Sequence, residues 1–202
     1  MRKIIVHNFV TMDGVIQSPG SAHEDPENFQ WGGWSGPHWD DQMAAKMGKI
    51  TASPYDLLLG RRTYEIFAGY WPHQKDNPTT ETFNRITKYV VSDSDPDISW
   101  QHSVLMTGDV VEAIRELKAS EGSDLLVYGS SNFVQTLLEN GLVDVMHNWI
   151  FPVTIGEGKK LFGEGTQPAQ WKLTEVEVSG TGVIMAAYVP DGEIKTGEMS
   201  PD

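Results

Sequence analysis

Two short apolar runs, each ending at a glycine and followed at once by a helix-forming segment, constrain the fold of this chain most strongly. Residues 55–59 lead into Gly60, and residues 125–128 lead into Gly129. Short apolar runs bounded in this way are typical of buried strands in a parallel sheet, because a helix must return the chain to the start of the next strand. The pattern predicts an α/β protein.

The same alternation continues until the C-terminal part of the chain, where strands follow one another directly. We predict a three-layer fold with a mostly parallel central sheet, an antiparallel C-terminal edge and helices on both faces. The predicted strands are 3–10, 55–59, 88–91, 103–106, 125–128, 143–153, 171–178 and 183–189. The predicted helices are 39–50, 61 or 62 to 69, 81–86, 109 to a stop at 122, and 130 or 131 to a stop at 141.

The chain shows no repeat or linker that would divide it. We expect one domain over residues 1–190 and a polar, frayed tail over residues 191–202. Residues 11–37 are rich in Gly, Pro, Ser and Trp, and irregular segments of this length in compact domains are usually functional. This segment contains Trp31 and Trp34, and Trp39 follows it. The three tryptophans form either an aromatic lid that excludes water or part of a packed loop.

Composition narrows the possible partners and chemistry. The 202 residues carry a net charge of −13, from 15 basic and 28 acidic side chains. Because such a surface repels phosphate backbones, we expect no nucleic-acid partner, and a polyphosphate ligand would need locally concentrated cations. The chain has no cysteine, which excludes disulfides and thiolate chemistry. No apolar run reaches the roughly 18 residues of a membrane helix. We expect a cytoplasmic protein with no membrane partner.

The first strand end that suits an anion is Gly60, where Arg61 and Arg62 open the next helix. Ligands of open α/β sheets bind beyond the carboxyl ends of the strands. The free N–H groups and the dipole of a helix N-terminus attract anions, and arginine adds a planar fork that fits phosphate. The alternative interpretation is a solvated basic pair at a helix start.

A second strand end has a related pattern, with Gly129 followed by Ser130, Ser131 and Asn132. Glycine allows a close backbone approach to a ligand, and serines at a helix start donate hydrogen bonds, so this segment suits a diphosphate. An ordinary N-cap after a tight turn is the alternative. A third strand ends at Ser92, which by itself is a weak signal.

Several familiar motifs are absent from the sequence. It contains no GxGxxG fingerprint, no Walker loop, no HExxH and no nucleophile elbow. His38 lies close to Asp40 and Asp41, but this spacing favours a helix-capping cluster over a metal site. We therefore expect no metal, and metal hydrolases and acyl-transfer enzymes are disfavoured.

In this order, the strand ends resemble those of the dihydrofolate reductase superfamily. The resemblance covers about residues 2–190 and is closer to the reductase domain of the bacterial bifunctional riboflavin-biosynthesis deaminase-reductase and its stand-alone relatives. The segments that carry it are Thr11-Met12-Asp13-Gly14, Leu59-Gly60-Arg61-Arg62-Thr63-Tyr64-Glu65, Val90-Val91-Ser92, Val127-Tyr128-Gly129-Ser130, Gly141-Leu142-Val143-Asp144, and the run of residues 151–162.

The resemblance implies a reductase that uses NADPH for hydride transfer. Arg61, Arg62 and Ser92, at the ends of the second and third strands, would surround the adenosine 2′-phosphate, and Gly60 would also belong to the cofactor site. Five residues would hold the diphosphate: Thr63, Gly129, Ser130, Ser131 and Asn132. Two apolar residues beside the loop after the first strand, Val10 and Ile16, would lie against the nicotinamide.

Hydride transfer also needs a proton source and a surface for the substrate. The candidate proton donors are Asp13, Asp41 and Tyr128; an Asp-Gly turn, a helix-start acid and core packing are the respective alternatives. By family analogy Phe67 and Trp71 would face the substrate, together with Trp39. Asp40 and Asp41 lie a few residues earlier than the carboxylate with which dihydrofolate reductases grip a pterin, which argues against folate.

We therefore expect an NADPH-dependent reductase of a small pyrimidine- or pterin-like heterocycle, similar to 5-amino-6-(5-phosphoribosylamino)uracil reductase. A genuine dihydrofolate reductase, a non-catalytic NADPH-binding module and a plain interaction protein are the alternatives. Because reductase domains of this type commonly pair through their edge strands, the resemblance also implies a homodimer.

Overall fold

The computed structural model describes residues 1–24 and 29–199, and within them the chain forms an eight-stranded mixed sheet. In chain order the strands are β1 (Ile4–Thr11), β2 (Tyr55–Gly60), β3 (Lys88–Val91), β4 (Ser103–Met106), β5 (Asp124–Tyr128), β6 (Val145–Phe151), β7 (Trp171–Val178) and β8 (Ile184–Pro190). Their order across the sheet is β4-β3-β2-β5-β1-β6-β8-β7. Neighbours from β4 to β6 are parallel, and β8 pairs antiparallel with both β6 and β7. The predicted sheet is confirmed.

Helices cover both faces of the sheet. They are α1 (Asp41–Ile50), α2 (Arg61–Tyr70), α3 (Pro78–Arg85), α4 (Val110–Ala119) and α5 (Ser131–Glu139), with short 3₁₀ turns at Gly36–His38 and Trp71–His73. Side chains alternate between the faces, so consecutive residues of a strand enter different clusters. Leu58 packs in the cluster that includes α4 and α5, whereas Leu57 and Leu59 pack with α2 and α3.

The face of the sheet that α1, α2 and α3 cover carries two separate apolar clusters. One gathers side chains of β2, β3, α2 and α3 around Tyr64 and Phe83. The other gathers side chains of β6, β8 and α1 around Met43 and Trp149. Between them lies a strip of sheet built by β1 and β5, where His7 packs against Tyr128. We call this strip, defined by His7 and Tyr128, the seam.

Most predicted element bounds hold to within two residues, and the shifted starts of two helices have local causes. Predicted helix 39–50 begins at Asp41 because Asp40 is its N-cap and accepts a hydrogen bond from Met43 N at 2.9 Å. The short helix predicted at 81–86 begins at Pro78, since Asn77 caps it and proline suits a first turn. The strand predicted at 143–153 is shorter and spans Val145–Phe151.

The tryptophan-rich loop packs onto the body of the protein where it is described; residues 25–28 lie outside the described part. Trp34 is buried, donates a hydrogen bond from Nε1 to Gln17 O at 2.8 Å and meets Phe151 edge-on. Ser35 Oγ donates to Pro19 O at 2.7 Å. These contacts support the packed-loop alternative for this part of the segment.

Within residues 1–24 and 29–199, no helix combines the length and apolar character needed to cross a membrane. Residues 191–199 form no strand or helix, and residues 200–202 lie outside the described part.

Candidate active site

Two helix N-termini meet at the carboxyl ends of adjacent strands β2 and β5. Thr63, in the first turn of α2, and Ser130, the N-cap of α5, bring their hydroxyl oxygens to 2.6 Å. A Cβ added at Gly60 would lie 3.0 Å from Ser130 Oγ, so this approach depends on glycine. Because the first N–H groups of both helices lack intrahelical partners, the junction can bind an anion such as a diphosphate. We call this junction, Gly60, Thr63, Gly129 and Ser130, the cradle.

The backbone of the cradle is strained on the β5 side. Gly129 and Ser130 both adopt left-handed conformations, with φ of 54° and 60°. Glycine accepts this conformation readily, but serine does so at a cost, and such strain is concentrated at functional sites. The Ser130 side chain does not cap its own helix; it contacts Thr63 instead. Ser131 and Asn132 follow in the first turn of α5.

The predicted phosphate-binding residues lie beside the cradle. Arg61 and Arg62 are the first two residues of α2; Arg61 is exposed and Arg62 is half-buried. Arg61 Nη1 lies 3.9 Å from Glu65 Oε1, a loose pair that leaves the guanidinium able to turn toward a phosphate. On the neighbouring strand, Val91 is in register with Gly60, which places Ser92 next to this edge. Ser92 is buried, and its Oγ accepts a hydrogen bond from Ser94 N at 3.1 Å.

Val10 and Ile16, the predicted nicotinamide neighbours, lie on the opposite face. Both are buried and belong to the same apolar cluster as Phe133 of α5, two residues beyond the start of that helix. The structure therefore brings the end of β1, the cradle and the arginines to one end of the sheet, but the Val10 and Ile16 side chains lie on the face away from Tyr128 and the predicted substrate-facing aromatics.

The three candidate proton donors have different surroundings, and Asp13 is held in a turn. Its carboxylate accepts hydrogen bonds from Thr11 Oγ1 at 2.5 Å and from Gly156 N at 2.6 Å, and both oxygens accept from Ile155 N at 3.2 Å. The Thr11 hydroxyl, followed by these backbone donors, holds the pKa of Asp13 below its usual value. Since the carboxylate is ionised and engaged, Asp13 fastens a turn and is a poor source of protons.

Asp41 is exposed at the first position of α1, next to the helix cap. Asp40, the cap itself, lies close to Gly180 in the turn between β7 and β8. Asp41 therefore starts its helix near the antiparallel edge, whereas Tyr128 lies at the centre of the sheet.

Tyr128 lies at the seam, where burial raises the pKa of its phenol. Its Oη lies 3.8 Å from Met47 Sδ of α1, a weak contact across the seam. The ring packs against His7 on one side, at a centroid distance of 5.6 Å, and against Phe67 on the other, at 6.0 Å. Tyr128 therefore stays protonated at neutral pH and keeps a proton that it can donate.

The predicted substrate-facing aromatics lie on both sides of the seam. Phe67 and Trp71 come from α2 and the turn that follows it, with ring centroids 6.2 Å apart. Trp39 stands before α1, half-exposed, and stacks at 6.2 Å on Trp149. Phe67 and Trp39 therefore flank the seam from its two sides.

Sequence reasoning missed three residues at the seam or beside it: His7, His147 and Trp149. The histidines appear scattered along the sequence, but His7 of β1 is in register with His147 of β6. The available signal was the alternation within each strand, which places His147 and Trp149 on one face. The described residues contain no cluster of three potential metal ligands.

The sheet order and the helical layers are those of the dihydrofolate-reductase-like fold. The chain belongs to the RibD C-terminal domain family, whose model matches residues 2–185. Among curated proteins it is 26% identical over 191 residues to YyaP of Bacillus subtilis, an uncharacterised protein; the match covers 93% of this chain and 94% of YyaP.

Three solved structures share the fold. A proposed riboflavin biosynthesis protein from Shewanella sp. PV-4 aligns with a TM-score of 0.66 and 22% identity, covering 94% of this chain and 99% of its own. Dihydrofolate reductase from Enterococcus faecalis in complex with NADP(H) aligns with a TM-score of 0.59 and 18% identity, and the alignment covers 94% of this chain and 97% of the reductase. The deaminase and 5-amino-6-(5-phosphoribosylamino)uracil reductase of Thermotoga maritima aligns with a TM-score of 0.60 and 16% identity, and the alignment covers 94% of this chain and 57% of the Thermotoga protein. At these identities the likeness establishes the fold alone.

Proposed function

We propose that the chain is an NADPH-dependent reductase that transfers a hydride to a small pyrimidine- or pterin-like heterocycle. The observation that carries this proposal is the cradle: two helix N-termini converge at adjacent strand ends, with the Thr63 and Ser130 hydroxyls 2.6 Å apart. Membership of a reductase-like family and the fold shared with an NADP(H)-bound reductase support the choice of ligand.

The phosphate groups of the dinucleotide would divide between two sets of residues. The diphosphate fits the cradle, where helix N–H groups and two hydroxyls point to one place. The 2′-phosphate fits Arg61 and Arg62, because a guanidinium fork binds phosphate through two parallel hydrogen bonds. In a chain with 15 basic residues against 28 acidic ones, this adjacent pair supplies the local positive charge that such a ligand needs.

The seam would hold the substrate. A bound reduced nicotinamide supplies a hydride to a C=N or C=O carbon, and the neighbouring heteroatom then needs a proton. Of the three candidate donors, Tyr128 meets this need best, since its phenol is protonated and lies at the seam. Phe67 and Trp39, on opposite sides, would orient the ring and exclude water.

Calorimetric titration with NADPH and NADH tests the cofactor, because the two differ only in the 2′-phosphate. We expect wild type to prefer NADPH by about tenfold or more, and Arg61→Ala/Arg62→Ala to lose this preference. The matched control Lys172→Ala/Lys195→Ala removes two exposed cations elsewhere and should keep it. Equal affinity of wild type for both dinucleotides, or no binding of either, would remove the proposal.

Oxidation of NADPH in the presence of candidate substrates tests the reaction itself. We expect turnover with a pyrimidine or pterin of the reducible type at ordinary enzyme rates. Turnover of dihydrofolate would instead identify a genuine dihydrofolate reductase. Binding of NADPH without oxidation across pterins, pyrimidines and flavins would favour a non-catalytic module.

A further inference from the structure

We propose that His7, with His147 beside it, is the specificity determinant that recognises the polar edge of the heteroaromatic substrate. The inference rests on the proposed function and adds to it the residues that select the ring. It starts from buried polar atoms that the cofactor site and the proton donor leave unexplained.

The two histidines lie in one transverse row of the sheet. His7 of β1 is in register with Tyr128 of β5 on one side and with His147 of β6 on the other. The ring centroid of His7 lies 5.6 Å from that of Tyr128 and 5.9 Å from that of His147. His7 is therefore next to the phenol that we place at the reaction centre, and His147 lies on the other side of His7.

Three buried nitrogen atoms in this row and on Trp149, whose ring centroid lies 4.8 Å from that of His7, have no hydrogen-bond partner within the described part of the chain. They are His7 Nε2, His147 Nδ1 and Trp149 Nε1. His7 is 2% exposed, and Trp149 is fully buried. Buried polar groups are normally paired, because an unpaired one costs free energy on folding, and three together call for a ligand or ordered water as partner.

The chemistry of these atoms selects a neutral ligand. Burial, followed by the proximity of His147, lowers the pKa of His7 to about 3, and burial also lowers the pKa of His147. Each neutral imidazole offers one donor and one acceptor, and the Trp149 indole offers a donor. Lys46, the cation whose charge acts on His147, is engaged by Glu175 and Glu177. The row therefore suits a lactam-like edge that alternates N–H and C=O, and does not suit a carboxylate or phosphate.

Aromatic side chains flank the row. Phe67 and Trp39 stand on opposite sides, and Trp149 stacks at 5.5 Å on Phe9. Across the seam, Tyr128 Oη meets only the thioether of Met47 among the contacts described, at 3.8 Å. A methionine is flexible and its sulfur is a weak acceptor, so a planar ring with better polar atoms would replace this contact.

Uracil and N,N′-dimethyluracil are suitable probes, because they share the pyrimidinedione ring but only uracil carries N–H donors. We expect wild type to bind uracil about tenfold more tightly in an NMR titration, since a site with unpaired polar groups rejects an analogue that cannot pair them. His7→Phe should reduce this preference to less than about threefold, and His7→Gln, which keeps a donor and an acceptor, should retain part of it. The control His23→Phe changes an exposed histidine and should leave the preference unchanged.

Thermal unfolding separates recognition from structure. Because phenylalanine removes an unpaired nitrogen and keeps a ring, His7→Phe should unfold at the same temperature as wild type or higher while losing the preference. Equal binding of the two probes to wild type, or an unchanged preference in His7→Phe, would overturn the proposal. If His7→Phe does not fold, the NMR shifts of the imidazole nitrogens of wild-type His7 provide the test. The proposal predicts that these shifts change when uracil is added and do not change when N,N′-dimethyluracil is added. No change with either probe would overturn it. If the protein binds uracil selectively but does not bind NADPH, the result contradicts the proposed cofactor and leaves the role of His7 supported.

Discussion

At the scale of single residues, Gly60 decides whether the cradle can form. A Cβ at this position would lie 3.0 Å from Ser130 Oγ and 3.3 Å from Ser130 Cβ, which is tighter than most Cβ contacts and requires Ser130 to move. The backbone of Gly60 has an ordinary φ of −69°, so the requirement for glycine comes from this close approach and not from conformation.

We predict that Gly60→Ala lowers the free energy of unfolding by about 1–2 kcal/mol and weakens NADPH binding, because α5 must move away from α2. The matched control is Gly69→Ala in the last turn of α2, where an added Cβ meets nothing within 4 Å. That change should stabilise the protein by about 0.5–1 kcal/mol. Urea unfolding of both variants gives the comparison, and similar values for the two would refute the close-packing explanation.

His7 should make the protein sensitive to acid. Its pKa falls from 6.5 to about 3 on folding, chiefly through burial and then through His147, which is itself influenced by Lys46 and Glu175. The unfolded chain therefore binds a proton below about pH 6.5 that the folded protein does not bind until about pH 3. Stability contributed by neutral His7 is complete above the unfolded pKa and is lost as the pH falls through this window.

We predict that the free energy of unfolding of wild type decreases between about pH 6.5 and pH 4.5 by as much as about 1.4 kcal/mol per pH unit from this group. His7→Phe should show a correspondingly flatter profile, because Phe does not titrate. Unfolding curves at several pH values measure the difference, and parallel profiles would show that His7 is not buried as described.

At the scale of elements, the strand ends were predictable and the contacts between strands were not. The segments around Gly60 and Gly129 carry local signals, so the cradle residues could be predicted from the sequence. The row of His7, Tyr128 and His147 depends on the register of β1 with β5 and β6, which pairs residues more than 100 positions apart. Periodicity within one strand cannot supply such a register. Asp13 illustrates a related gap, because its backbone partners Ile155 and Gly156 come from a distant loop.

The start of α1 gives a prediction that separates two neighbouring aspartates. Asp40 accepts a hydrogen bond from Met43 N, which, with backbone groups of Thr181, Gly180 and Gln42, lowers its pKa. We predict that Asp40→Ala lowers Tm by a few degrees at neutral pH through loss of the cap. Asp41→Ala should leave Tm nearly unchanged. Calorimetry of the two variants tests this, and an equal effect of both changes would contradict the capping role. A large loss of reductase turnover in Asp41→Ala would restore Asp41 as a proton donor.

At the scale of the whole molecule, the antiparallel edge carries an exposed apolar face. Val176 and Val178 of β7 are 51% and 61% exposed, and Ile184 of β8 is 41% exposed. An edge strand with apolar side chains invites pairing with another chain. We propose that a second copy covers this edge to form a homodimer.

The division of the chain at residue 190 also stays a prediction.

We predict that Val176→Lys shifts the protein from dimer to monomer in size-exclusion chromatography with light scattering, because the charge would be buried at the interface. Val104→Lys is the matched control, since Val104 is 45% exposed on β4 at the opposite edge of the sheet. A monomeric wild type, or an unaffected dimer in Val176→Lys, would contradict the proposed interface.

We propose that a dinucleotide diphosphate binds where α2 and α5 begin. Backbone amide NMR during a titration with NADPH tests this binding site most directly, because each amide reports its own surroundings. We predict the largest shifts at the first turns of the two helices, at Arg62, Thr63, Ser131 and Asn132, with little change in β7. Shifts concentrated elsewhere, or no shifts at saturating NADPH, would contradict it.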